Sequence, residues 1–293
     1  CSHPHPHPHP HHTIAHQHHH DPAIVPPRHR AFAFDMDGVM YRGSELIDGA
    51  LEAGATVQTL GLPLFFVTNN SRESPIDLAV KLQSLGIDAG PEQIISAVVA
   101  TVDYLKRLDA KPEPILVLGA EELGTHIADA GFRLASFHDH EPVDLVVAGV
   151  DFNLTYARSS RAVQALVTDG ANFIAVNEDP LYPTPTGPTP GAGAITSAVT
   201  GASGVHPVVV GKPSPHLFRA VLERSGVVAE DLIVVGDMLQ ADIAGANAIG
   251  STAVLVLTGT TSRDEAETAS DELRPHFIID NLWQLPFEQL LTA

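Results

Sequence analysis

The chain has 293 residues, 44% of them hydrophobic and 17% charged, which describes an ordered globular protein long enough for two cores. Asp and Glu number 35 against 16 Lys and Arg, only four of them lysines; this acidic balance argues against a nucleic-acid binder and favours a small phosphorylated metabolite over a polyanion. Cys1 is the single cysteine, so no internal disulfide forms, and no apolar run reaches the roughly 18 residues of a membrane span; no membrane contact and a cytoplasmic location are expected.

In chain order, residues 1–30 come first, a tail that begins with alternating His and Pro from His3 and holds eleven of the 17 histidines. Alternating Pro keeps it extended, and nothing in it asks for burial, so it is expected to be disordered. Its neutral imidazoles can capture zinc, nickel or copper. One reading of the chain is therefore a metal-handling protein acting through this tail.

From Ala31 apolar strands alternate with helical segments, as in a doubly wound α/β fold. Strand 31–34 is followed by Asp35-Met36-Asp37-Gly38, a turn through Gly43 and a helix over about 48–60. Strand 64–67 leads into Thr68-Asn69-Asn70, and Ser74-Pro75 opens a helix that Gly86 stops. A third helix is expected from Pro91 towards Leu108. A second α/β block follows: strand 115–118, helix 120–130, strand 144–147, helix 155–168 and strand 172–175. The segment from Asn177 to Gly193, with five prolines and three glycines, reads as an ordered but irregular loop. The first pattern resumes with strands near 208–210, 232–235, 253–257 and 277–279, passing Gly211-Lys212-Pro213 and Gly236-Asp237. The expected architecture is a Rossmann-like parallel-sheet core, residues 31–97 and 207–293, with an inserted α/β cap over 98–206.

Polar residues just past apolar strands gather at the carboxyl edge of a parallel sheet, where α/β proteins bind ligands. A carboxylate such as Asp35 can attack phosphorus and form an aspartyl-phosphate, and Asp37, two residues on, can protonate the leaving oxygen and then deprotonate water. Magnesium suits oxygen donors, which Asp35, Asp237 and a backbone carbonyl near Asp37 can supply. Asp242 is expected to open the next helix and orient metal-bound water. Thr68, Asn69 and Asn70 offer a hydroxyl and successive amides to phosphate oxygens, and Lys212 offers a compact positive charge. These motifs touch only the phosphoryl group, so substrate choice is expected from the 177–193 loop, through Asn177, Asp179 and Tyr182.

Asp35-Met36-Asp37-Gly38-Val39, Thr68-Asn69-Asn70-Ser71, Gly211-Lys212-Pro213-Ser214-Pro215 and Gly236-Asp237 with Asp242-Ile243 together resemble the haloacid dehalogenase (HAD) superfamily. Within it the chain is similar to the NagD and 4-nitrophenylphosphatase branch, whose cap segments resemble Asp151 to Tyr156 and Pro190 to Ala194. The resemblance implies a Mg2+-dependent phosphatase with Asp35 as nucleophile and Asp37 as acid/base. It implies metal held by Asp35, the Asp37 backbone and Asp237, phosphate held by Thr68, Asn69, Asn70 and Lys212, and a homodimer paired through the caps. The chain departs from the branch at Ala241, where a Thr is common, at Met238, and at Tyr182, where some pyridoxal phosphate phosphatases carry His.

Overall fold

The computed structural model describes residues 29–292, so the expected His-rich tail lies outside the described residues. A six-stranded, wholly parallel sheet runs in the order Phe277–Ile279, Thr252–Val256, Leu232–Gly236, Ala31–Asp35, Leu64–Thr68, Ile94–Ser96. The chain builds outward from Ala31–Asp35 in one direction, leaves, and returns to build outward in the other. The point where strand order reverses therefore lies beside Ala31–Asp35, and this is where such sheets open a ligand crevice.

All five residues of Ala31–Asp35 are buried, because both faces of the sheet are covered. Ala31, Ala33, Phe65, Val67 and Val234 pack into one cluster, while Phe32, Phe34, Phe66, Ile233 and Val235 pack into another. The alternation is the two-residue period of a strand. The first cluster runs on into Ile115, Val117, Leu123 and Ile127 of the smaller unit, so the two units share apolar contacts.

The smaller unit is an inserted cap with its own parallel sheet, ordered Val208–Val209, Asn172–Ala175, Leu145–Ala148, Ile115–Leu118. Three expectations are corrected. Pro91 does not open one long helix: Ile94–Ser96 is the edge strand of the large sheet, and the helix is Ala97–Lys106, capped by Ser96 Oγ, which accepts from Val99 N at 3.2 Å. Val208–Val209 pairs with Ile174 and Ala175, so it belongs to the cap sheet and not to the resumed core. The Pro-rich loop is a regular antiparallel hairpin over much of its length, Leu181–Thr184 against Gly187–Pro190, followed by the helix Ala192–Ser203. Among the described residues no helix is long and apolar enough to cross a membrane.

Candidate active site

Asp35 ends the central strand, Lys212 follows the last strand of the cap, and Asp237 begins the loop after Leu232–Gly236. Folding brings them together with Asp242, all four buried, at 8%, 5%, 5% and 0% exposure. Lys212 Nζ donates to Asp35 Oδ1 at 3.0 Å and to Asp242 Oδ1 at 2.6 Å. Asp242 Oδ2 accepts from Met238 N at 3.3 Å, so both its oxygens are engaged. Asp242 does not open an ordinary helix as expected. It lies in a π-helical turn, Leu239–Ile243, ahead of Ala244–Ile249, and its carboxylate holds the lysine. Such turns often mark functional positions.

Burial controls the charge states. It pushes the Asp35 carboxyl up to about 7, with Lys212 pulling against it and the Asp237 charge adding to the rise. Burial likewise pushes Asp242 up to about 6, assisted by Asp35 and opposed by Lys212. Asp237 is also raised, by burial first. For Lys212 burial works against the charged form, but the carboxylates of Asp242 and Asp35 outweigh it and hold the ammonium protonated.

These residues fit a divalent cation. Carboxylate oxygens of Asp35, Asp237 and Asp242 lie within 4.8 Å of one another. Asp237 Oδ1 is buried with no hydrogen-bond partner, a costly state for a carboxylate oxygen that a cation relieves. At Gly38 and Gly259 a Cβ would run into the Asp237 carboxylate, so both positions leave it room. An all-oxygen donor set of this kind suits Mg2+.

Asp37 lies two residues past Asp35 and is exposed. Thr68 ends the neighbouring strand, with its Oγ1 accepting from Asn70 N at 3.1 Å. Asn69 and Asn70 have side chains engaged with protein. Asn69 Oδ1 accepts from Lys212 N at 2.7 Å, and its Nδ2 donates to Asp179 Oδ1 at 3.2 Å. Asn70 Oδ1 accepts from the Arg72 and Glu73 amides at 2.9 and 2.8 Å. The Asn70 side chain thus shapes the loop.

The three cap-loop residues separate. Asn177 is buried with its side-chain amide engaged by protein: its Nδ2 donates to Asn69 O at 2.7 Å and its Oδ1 accepts from Asp179 N at 3.0 Å. It braces cap against core. Asp179, its carboxyl raised by burial, contacts Asn69 beside Lys212. Tyr182 stands edge-on to Phe152 at 5.3 Å, with Arg72 placed 4.7 Å over the Phe152 ring, so the hairpin does bring an aromatic group to the core–cap seam. Sequence reasoning missed Arg72, Phe152 and the Thr258-Gly259-Thr260-Thr261 loop. The last carried the usable signal, small and polar residues just past an apolar strand.

A family model described as haloacid dehalogenase-like hydrolase matches residues 32–133, and one described as HAD-hydrolase-like matches residues 209–285. An acid sugar phosphatase of Staphylococcus epidermidis is 34% identical over 254 residues, covering 87% of this chain and 95% of the relative. The solved p-nitrophenyl phosphatase from Archaeoglobus fulgidus superposes with a TM-score of 0.80 at 30% identity, over 89% of this chain and 100% of that one. The glycerol phosphate phosphatase of Mycobacterium tuberculosis, solved in complex with magnesium, gives 0.79 at 32% identity, over 88% of this chain and 76% of that one.

Proposed function

The chain belongs to the haloacid dehalogenase-like hydrolases and is a phosphatase of their capped, NagD-like branch; we propose that it hydrolyses small phosphate monoesters, of sugars, nucleosides or polyols, through an aspartyl-phosphate on Asp35. The observation that carries this reading is a buried carboxylate at the carboxyl edge of the central strand, held by an ammonium 3.0 Å away. The names of relatives that act on sugar and glycerol phosphates favour the same substrate class.

The ester phosphate lies against Lys212 and the Thr68 hydroxyl, and Asn69 holds the lysine backbone in place. Asp35 attacks phosphorus as the ester P–O bond breaks, and the Asp37 carboxyl protonates the departing alkoxide. Asp37, now a carboxylate, takes a proton from water as that water attacks phosphorus, which frees phosphate and Asp35. Magnesium, held by Asp35, Asp237 and the Asp37 backbone, supplies charge neutralisation, without which carboxylate and phosphate repel. Asp242 keeps Lys212 aimed at Asp35. The parallel-sheet core carries this chemistry, and the inserted cap, which runs on through its edge strand Val208–Val209, closes it; pairing of two chains through their caps and a cytoplasmic location complete the reading.

Hydrolysis of 4-nitrophenyl phosphate by the wild type and by Asp35→Asn, each with magnesium and with a chelator, tests the proposal. Turnover is expected only in the wild type with magnesium. Activity that survives both chelation and Asp35→Asn overturns it.

A further inference from the structure

Two segments distant in sequence close on the Asp237 carboxylate. Gly38 takes a φ of +84°, and a Cβ there would strike Asp237 Oδ2; a Cβ at Gly259, in the loop after Thr252–Val256, would strike the same atom. Residues on either side of Gly259 hold both partners of that contact. Thr258 Oγ1 donates to Gly38 O at 2.7 Å, and Thr261 Oγ1 donates to Asp237 O at 2.6 Å. The loop is held in turn by Arg42, from the Tyr41–Arg42 and Glu45–Leu46 hairpin, which donates to the Thr258 carbonyl.

The turn that follows Asp35 is thereby fixed on both sides of Gly38. Gly38 N donates to Tyr41 O at 2.8 Å, and in a trans peptide the carbonyl of Asp37 must point the opposite way. Thr258 fixes the next carbonyl along. None of these hydroxyls is itself a carboxylate ligand, and none belongs to the four motifs.

We propose that Thr258, Gly259 and Thr261 form a positioning loop for the cation, which sets the Asp237 carboxylate and the Asp37–Gly38 turn at the spacing a divalent ion requires. The inference rests on the magnesium reading above. The ion does not meet these side chains; they hold the groups that would hold it. Losing such an outer partner commonly costs about 10–100-fold in metal affinity.

The test is calorimetric titration of Mg2+ into the metal-stripped full chain without substrate. The His-rich tail does not compete, because imidazoles favour zinc, nickel and copper over magnesium. Thr258→Val, which keeps shape and loses the hydroxyl, is expected to weaken Mg2+ about tenfold, and Thr258→Ser to stay within about twofold of wild type. The Mg2+ concentration for half-maximal turnover should shift by the same factor, with KM for the ester at saturating Mg2+ unchanged. A Thr258→Val protein that melts like wild type in chelator and binds Mg2+ within about twofold of wild type overturns the proposal, as does lost turnover at unchanged Mg2+ affinity. If Thr258→Val does not fold, Thr261→Val carries the same expectation and the same overturning result. A wild type that turns over ester but takes up no Mg2+ overturns the magnesium reading itself; wild-type uptake with indifferent variants overturns only the positioning loop.

Discussion

Replacing Lys212 by Met removes the one ammonium that sits between two buried carboxylates, 3.0 Å from Asp35 and 2.6 Å from Asp242. At an effective dielectric of about 20, each contact is worth about 5–6 kcal/mol of attraction before the cost of burial. Removing one partner of a buried pair typically costs about 3–5 kcal/mol net. That corresponds to a fall in melting temperature on the order of 10 °C for a domain of this size. The loss depends on pH in a definite direction. Asp35 and Asp242 already stand at about 7 and about 6 with the lysine in place, and without it they rise further. A carboxyl raised above its unfolded value lends stability that is present at low pH and lost as pH rises through the folded value. The gap between wild type and Lys212→Met, measured as melting temperature in chelator, is therefore expected to be full at pH 8 and to shrink at pH 5.5, where both carboxyls take protons. Turnover at pH 8 with magnesium should fall by about 100–1,000-fold. An equal melting shift at both pH values, or none, refutes the picture of one lysine holding two ionised carboxylates.

Asp37→Asn should lower kcat by about 100–10,000-fold for alkyl esters, and less for the first step with 4-nitrophenyl phosphate, whose leaving group needs little protonation; stopped-flow release of nitrophenolate separates the two. Deleting residues 1–28 should leave turnover and its magnesium dependence unchanged, while any zinc or nickel binding disappears. Loss of turnover on that deletion would favour the metal-handling reading of the tail. Tyr182→Ala should change turnover unequally across a panel of sugar, nucleoside and polyol phosphates if the Tyr182–Phe152 ring pair at the core–cap seam meets the leaving group; an equal fall for every ester removes the hairpin from substrate choice.

The parts of the site that the sequence displays are those in which an apolar strand hands directly to polar residues. Asp35, Thr68 and Asp237 each end or follow a buried strand of five residues, and strand register alone brings them to one edge. What escaped notice depends on partners far along the chain. Asn177 finds Asn69, 108 residues away, and nothing local marks it as a brace instead of a substrate contact. Ile94–Ser96 has three residues, too few for a period of two to show against the helix that follows. In the hairpin, Pro183 pairs with Pro188, positions where neither needs an N–H, so a Pro-rich composition conceals a regular ladder. Val208–Val209 is an apolar pair that either sheet could take, and the path of the chain out of the cap decides it.

The most direct test of the central claim is to mix enzyme rapidly with a 32P-labelled phosphate ester, quench in acid and locate the label. A protein-bound label that resists acid, is released by hydroxylamine and maps to the peptide containing Asp35 is expected. It should accumulate in Asp37→Asn and be absent from Asp35→Asn. Full turnover with no label on the chain, or a label on any other residue, contradicts the assignment of Asp35 as the nucleophile.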